Sequence, residues 1–256
     1  MAEIETLTDG TAANGACGDL FRADALGCNR VTTSLDPGRP AEVLRVHDGA
    51  DTLGAAVAVG GGFTLTPLRG DAADLIADAL PLDRRLRVVG EPGDVATIAG
   101  RWSERCDGAI DTGRLFRWYR LDDPHPRKKR GGSTRVAGRD RIDHAAGWGV
   151  AFADEIGVPR TLDEATKQMS DATNESRLIE WIVAEQTVSQ LVVSPARFGV
   201  VRINGLYTPP ELRKEGHSGT LVIEVAAQQI ARQKVDQVVV EVPAADGVLN
   251  RMYRRL

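Results

Sequence analysis

The run Leu206-Tyr207-Thr208-Pro209-Pro210-Glu211-Leu212-Arg213-Lys214-Glu215-Gly216-His217-Ser218-Gly219 constrains this chain most. Before it, residues 199–207 read as a strand. Pro209-Pro210 ends that strand, because proline brings no backbone donor to a sheet. After it, a helix is expected over about 216–233, with Leu221, Val222, Val225, Ala226 and Ile230 on one face at helical spacing. Residues 235–242 are a β-branched run with the character of a buried strand. Strand, glycine turn, helix and strand in that order make an α/β unit with a mixed sheet. In the turn, Gly216 and Gly219 let the backbone approach a ligand closely, and Ser218 is small enough to do the same. Free N–H groups and the positive end of the helix dipole would meet there, a ready site for a pyrophosphate. Arg213 can add a charge-assisted contact. On glycine spacing alone, an ordinary loop before a helix reads equally well.

Four stretches organise the chain. Residues 1–40 are rich in Gly, Ala, Asp and Thr and are expected to be partly irregular. Residues 41–121 alternate strands (43–46, 55–59, 63–65, 86–89, 115–121) with helices (71–80, and 95–105 capped by Asp94). Residues 122–132 combine prolines, a charge run and two glycines and read as a linker. Residues 133–256 form a second domain. It has a strand at 134–137, a helix at 140–156, a polar stretch at 161–176, strands at 177–185 and 188–193, the elements above, and a short last helix through Asn250 and Tyr253. Gly60-Gly61-Gly62 is not followed by a helix, so a second phosphate loop is not expected.

Several function classes are disfavoured. No apolar run reaches the ~18–20 residues needed to span a bilayer, so no membrane association is expected. The acidic start lacks a basic stretch followed by an apolar one, so no cleaved signal peptide is expected. Three widely spaced cysteines, Cys17, Cys28 and Cys106, suit neither a disulfide framework nor a zinc site and fit a reducing cytoplasm. The net charge of −4 argues against a nucleic-acid partner. The basic run Arg127 to Arg130 has no interleaved aromatics and reads as a solvated linker. His47, His125 and His144 lack metal-ligand spacing, so no metal is expected.

The order strand, Thr-Pro-Pro-Glu, Arg213-x-x-Gly216-x-Ser218, long helix, Val-rich strand, Asn250-x-x-Tyr253 resembles the GNAT superfamily of acyl-CoA-dependent N-acetyltransferases. The family's phosphate loop is Gln/Arg-x-x-Gly-x-Gly/Ala, and its closing signature is an Asn followed shortly by a Tyr. The phrase Leu-Tyr-Thr-Pro-Pro-Glu, with Trp118-Tyr119-Arg120-Leu121 and Trp148-x-x-Ala151-Phe152-x-x-Glu155, is similar to a bacterial subgroup with a degenerate GNAT-like N-terminal half. The resemblance covers about residues 115–256 well and the N-terminal half in outline.

The resemblance implies a GNAT fold in the C-terminal half and a smaller, degenerate GNAT-like half before it. Acetyl-CoA would be the acyl donor, lying where strand 199–207 splays from strand 235–242. Its pantetheine would run along the backbone of Leu206, Tyr207 and Thr208. Its pyrophosphate would rest on Lys214, Glu215, Gly216, His217, Ser218 and Gly219, with Arg213 and Asn250 as further contacts. Tyr253 would protonate or hydrogen-bond the departing thiolate. A carboxylate would take a proton from the attacking amine, with Glu180, Glu185, Asp154 and Glu155 as candidates by location. Tyr253 reads otherwise as a packing residue, and Asn250 equally as the holder of a helix turn. The acceptor would be a small-molecule or peptide amine, and relatives of this kind often dimerise, so a homodimer fits. Three features depart from the family pattern. Lys214-Glu215 replaces a usual Gly-Arg pair, Ser218 replaces Gly or Ala, and the chain stops at Leu256 where relatives continue into further strands. From these departures follows a reading from a different class, a non-catalytic GNAT-like acyl-CoA-binding or protein-interaction module.

Overall fold

A computed structural model describes residues 1–106, 108–111, 113–124 and 131–256. The chain divides into two compact units, Met1–Arg114 and Leu115–Leu256.

In the first unit the strands are β1 (Glu3–Asp9), β2 (Pro40–Asp48), β3 (Asp51–Val59), β4 (Gly62–Leu65) and β5 (Val88–Val89). They form one sheet in that order. The pairs are antiparallel except β4 with β5, which is parallel. Helices α1 (Gly10–Ala16), α2 (Gly18–Ala23) and α3 (Asn29–Thr32) follow β1. Helices α4 (Ala72–Ala79) and α5 (Pro92–Arg105) flank β5. Residues 1–40, expected to be partly irregular, thus carry a strand and three helices. Glu5 stands opposite Arg45 and pairs with it at 2.5 Å, a cross-strand contact that only register creates. Asp9 caps α1, its Oδ1 accepting from Thr11 and Ala12 N–H at 2.8 Å each. The expected cap at Asp94 is not formed. Pro92 starts α5, and the Asp94 carboxylate accepts the Leu68 N–H at 3.1 Å instead. Cys17 and Cys28 are buried free thiols. Burial pushes them up to about 11 and about 12, which makes both poor nucleophiles.

The second unit contains β6 (Phe116–Arg120), β7 (Ser133–Val136), α6 (Ile142–Glu155), α7 (Leu162–Asn174), β8 (Leu178–Val183), β9 (Gln186–Val193), β10 (Val200–Tyr207), α8 (His217–Ile230), β11 (Gln237–Pro243) and α9 (Gly247–Tyr253). The sheet order is β6-β11-β10-β9-β8-β7. Only β10 and β11 pair in parallel. Side chains alternate between two cores, as a two-faced sheet demands. Ile179, Trp181, Leu191, Val193, Val201 and Ile203 pack with Leu221, Val222 and Val225 of α8. Leu178 and Val192 pack with Ala145, Ala146, Ala165 and Met169 of α6 and α7.

Two boundaries differ from the sequence reading. Residues 115–121, assigned above to the N-terminal domain, lie in the second unit, where β6 runs antiparallel to β11 and covers its outer edge. Most of the polar stretch 161–176 is helix α7, Leu162–Asn174, with Thr161 as its N-cap. The Thr161 hydroxyl accepts the Glu164 N–H and the Glu164 carboxylate accepts the Thr161 N–H, a capping box. The basic run Arg127 to Arg130, with His125, falls outside the described residues.

Candidate functional site

The opening in the sheet comes from a change of pairing along β10. Val200 to Ile203 pair with Gln237 to Val240 of β11. Past that point β11 continues beside β6 alone, through Glu241 to Pro243. On its other side β10 slips register against β9 between Asn204 and Tyr207, around Gly205 at φ +56°. Positive φ suits glycine here, and the bulge turns the strand away from its parallel partner. The Tyr207 carbonyl accepts the Ser189 hydroxyl at 3.0 Å, and the Thr208 hydroxyl donates to Ser189 Oγ at 2.9 Å.

The loop beyond β10 ends at Gly216, the N-cap of α8, with φ +80° and no side-chain cap. The first helical bond runs from the Thr220 N–H to the Gly216 carbonyl at 3.1 Å. The backbone N–H groups of residues 214–219 find no acceptor among the described residues. Unused donors at the positive end of a helix dipole suit an anion. His217 is buried, with Nε2 3.1 Å from Glu215 Oε2 and Nδ1 unpartnered among the described residues. Ser218 Oγ points to Met252 Sδ at 3.9 Å. A Cβ on Gly219 would meet Leu256 at an ordinary 3.6 Å, so Gly219 is not required for packing. Lys214 sits at φ +69°, a left-handed conformation that costs a side-chain-bearing residue ~1 kcal/mol or more. Lys214→Gly should therefore raise stability by about 1 kcal/mol, read as a higher midpoint in urea.

Arg213 does not reach toward this site. Its Nε donates to the Thr208 carbonyl at 2.8 Å. Its Nη2 donates to both oxygens of Glu155, at 2.6 and 2.8 Å. The guanidinium lies over the Tyr207 ring at 5.7 Å. Burial, followed by the Glu155 charge, pushes the Tyr207 phenol above its usual range. The expected phosphate contact from Arg213 is thus replaced by an internal clamp, which also removes Glu155 from the free carboxylates.

Asn250 is buried, and its amide is fully engaged within the protein. Nδ2 donates to the Pro243 carbonyl at 2.9 Å and the Asp246 carbonyl at 2.5 Å, while Oδ1 accepts the Tyr119 hydroxyl at 2.7 Å. It ties β11 to α9 and β6, the turn-holding role of the two considered. Tyr253 lies in the α8-side core and stacks on Tyr119 at 5.8 Å. Its hydroxyl has no hydrogen-bond partner among the described residues. Burial raises its pKa far above that of a free phenol, so it stays protonated.

Of the other carboxylates, Glu180 is fully buried and bound by two arginines. Arg135 donates Nη2 to its Oε2 at 2.6 Å, and Arg141 donates Nε to its Oε1 at 3.1 Å. Thr187 adds a bond at 3.2 Å. Both of its oxygens are thus already taken by donors of the protein. Asp154 and Glu185 are exposed. Sequence reading missed this arginine pair, although Arg135 and Glu180 occupy directly opposed positions on β7 and β8. His144, weighed above only for metal-ligand spacing, packs on Trp148 with ring centroids 4.4 Å apart and planes tilted by 51°. Burial, then Arg141, hold the His144 pKa below the usual imidazole range. Among the described residues no group of three or more His, Cys, Asp or Glu side chains is placed to hold a metal ion. Among them no helix is long and apolar enough to cross a membrane.

No family model matches the chain. No curated protein matches it in sequence. Solved structures do match. A GNAT-family acetyltransferase from Colwellia psychrerythraea is 10% identical, with 98% of this chain and 94% of that one covered at a TM-score of 0.59. A GCN5-related N-acetyltransferase from Sphaerobacter thermophilus is 16% identical, with 99% and 90% covered at 0.54. A tandem GNAT protein from the clavulanic acid biosynthesis pathway is 15% identical, with 99% and 94% covered at 0.56. The likeness is one of fold. The chain has the mixed α/β GNAT architecture over nearly its whole length, as the motifs of residues 206–253 implied.

Proposed function

We propose that the second unit is an acyl-CoA-dependent N-acetyltransferase acting on an amine. One observation carries this reading: the N–H groups of residues 214–219, without acceptors among the described residues, end a loop that leaves β10 just where it parts from β11. The cradle fits a pyrophosphate, because Glu215 turns its carboxylate to His217. When bound, acetyl-CoA supplies an acetyl group activated as a thioester.

The chain's own residues then have distinct tasks. The N–H groups of residues 214–219 bind the diphosphate, and Leu206 to Thr208 orient the pantetheine arm as an added strand would be oriented. A backbone N–H of β10 polarises the thioester oxygen. Tyr253 holds its proton at Oη. Its phenol pKa lies above the ~8.5 of an ordinary thiol, so it donates a hydrogen bond to the departing sulfur and keeps its proton. The ammonium of the acceptor loses a proton to water near Asp154 or Glu185, the candidate carboxylates that carry no ion pair among the described residues.

Calorimetric titration with acetyl-CoA and CoA tests this reading. Micromolar binding supports it, and absence of binding up to millimolar concentration overturns it. Tyr253→Phe removes that hydrogen bond to the developing thiolate and should lower turnover about ten- to a hundredfold with little change in CoA affinity; unchanged turnover removes Tyr253 from the mechanism. The Arg213–Glu155 clamp and Glu215 beside the cradle favour one second reading, a module that binds acyl-CoA without turnover.

A further inference from the structure

We propose that Arg135 and Arg141 form a receptor for the carboxylate of an amino-acid acceptor, an inference that rests on the acetyltransferase reading above. Both line a cavity of about 510 Å³ within the second unit. Each guanidinium is fixed from behind. Arg135 binds Glu180 through Nε and Nη2, and Arg141 binds Glu180 through Nε and Thr187 through Nη2. Their Nη1 groups find no acceptor among the described residues. Glu180 is fully buried beneath them, so its charge anchors the pair and is unavailable to a ligand. Two pre-aimed guanidiniums with unused donors suit a planar carboxylate.

The rest of the cavity carries the opposite sign. Asp140, Glu185 and Glu211 also line it. None of the three makes an ion pair among the described residues. Glu185 joins this lining from a two-residue hairpin turn in which Ala184 has φ +45° and Glu185 φ +66°. Asn-Gly would adopt that turn without strain. A pair of guanidiniums and a set of carboxylates lining one cavity match a molecule with a carboxylate and an ammonium. The cavity adjoins the cleft: Pro209 and Leu212, just past β10, form part of its wall. Trp148, also in the wall, packs on Tyr207 at 5.8 Å. Transfer forms the amide N–C bond and breaks the thioester C–S bond. Of the two protons the ammonium loses, one ends on the sulfur and one in solvent.

The test is a turnover screen of the full chain with acetyl-CoA and each of the twenty amino acids. Lysine, arginine and histidine are compared with cadaverine, agmatine and histamine, which lack the carboxylate. At least one amino acid should be acetylated. Where its decarboxylated amine is in the set, kcat/KM should favour the amino acid by about ten- to a hundredfold, the worth of a charge-assisted bond. Arg141→Lys and Arg135→Lys keep the charge on Glu180 but lose the fork. Each should raise KM for that amino acid about tenfold, leave the CoA Kd unchanged, and abolish the rise in Tm that the amino acid gives the parent protein. Failure to bind CoA sinks the acetyltransferase reading itself. CoA binding with no amino acid acetylated, with amines used equally well, or with folded Lys variants of unchanged KM, overturns the receptor alone.

Discussion

Gly216→Glu is expected to weaken acetyl-CoA binding by at least about a hundredfold, measured by calorimetry on the folded protein. Two effects combine. Gly216 has φ +80°, so any side chain there adds roughly 1 kcal/mol of strain and shifts the N–H groups of the loop. The new carboxylate then joins Glu215 beside the diphosphate position. Like charges about 4 Å apart repel by up to ~4 kcal/mol in a partly exposed site. Even half of that repulsion, added to the displaced donors, exceeds the roughly 2.7 kcal/mol of a hundredfold change. Gly216→Ala separates the effects. It carries the strain without the charge and should cost less than tenfold in affinity. Parent-like affinity in the Glu variant would mean that the diphosphate does not rest on the N-terminus of α8.

Arg141→Ala should lower the stability of the second unit by about 3 kcal/mol, because removing one partner of a buried ion pair leaves a desolvated charge. Glu180 has no solvent exposure, and Arg141 supplies the bond to its Oε1. Arg135 still covers Oε2, which keeps the loss at the lower end of the usual range. At about 3 °C per kcal/mol for a unit of this size, Tm should fall by roughly 10 °C. Arg141→Ala combined with Glu180→Ala removes both charges and should recover part of the loss. A double variant no more stable than the single one would show that packing, not the buried charge, sets the cost.

Much of the second unit was legible along the chain. Strand β10, the glycine turn, α8 and β11 announce themselves through proline, glycine and apolar periodicity, all local signals. The start of α7 was equally local, since Thr161 and Glu164 spell a capping box, but the polar surface of that helix masked it. Residues 1–40 were harder. Strand β1 is thinly buried and is held by pairing with β2, 31 to 44 residues further on, so its own composition says little.

The chemistry of the charged residues was decided elsewhere. Four carboxylates looked alike as candidate bases. Only the fold clamps Glu155 on Arg213, buries Glu180 against Arg135 and Arg141, and leaves Glu185 exposed in the lining of a cavity. Asn250 read equally as cofactor contact or turn holder until its amide met the carbonyls of Pro243 and Asp246 and the hydroxyl of Tyr119. By itself the sequence determined the α/β units, the strand–loop–helix that presents free N–H groups, and the position of Tyr253, because backbone preference and hydrophobic period act over a few residues. The tertiary structure alone decided which charges are neutralised and which face a ligand. Charge partners are set by strand register and helix packing between segments far apart in the chain, and desolvation acts only once those segments meet.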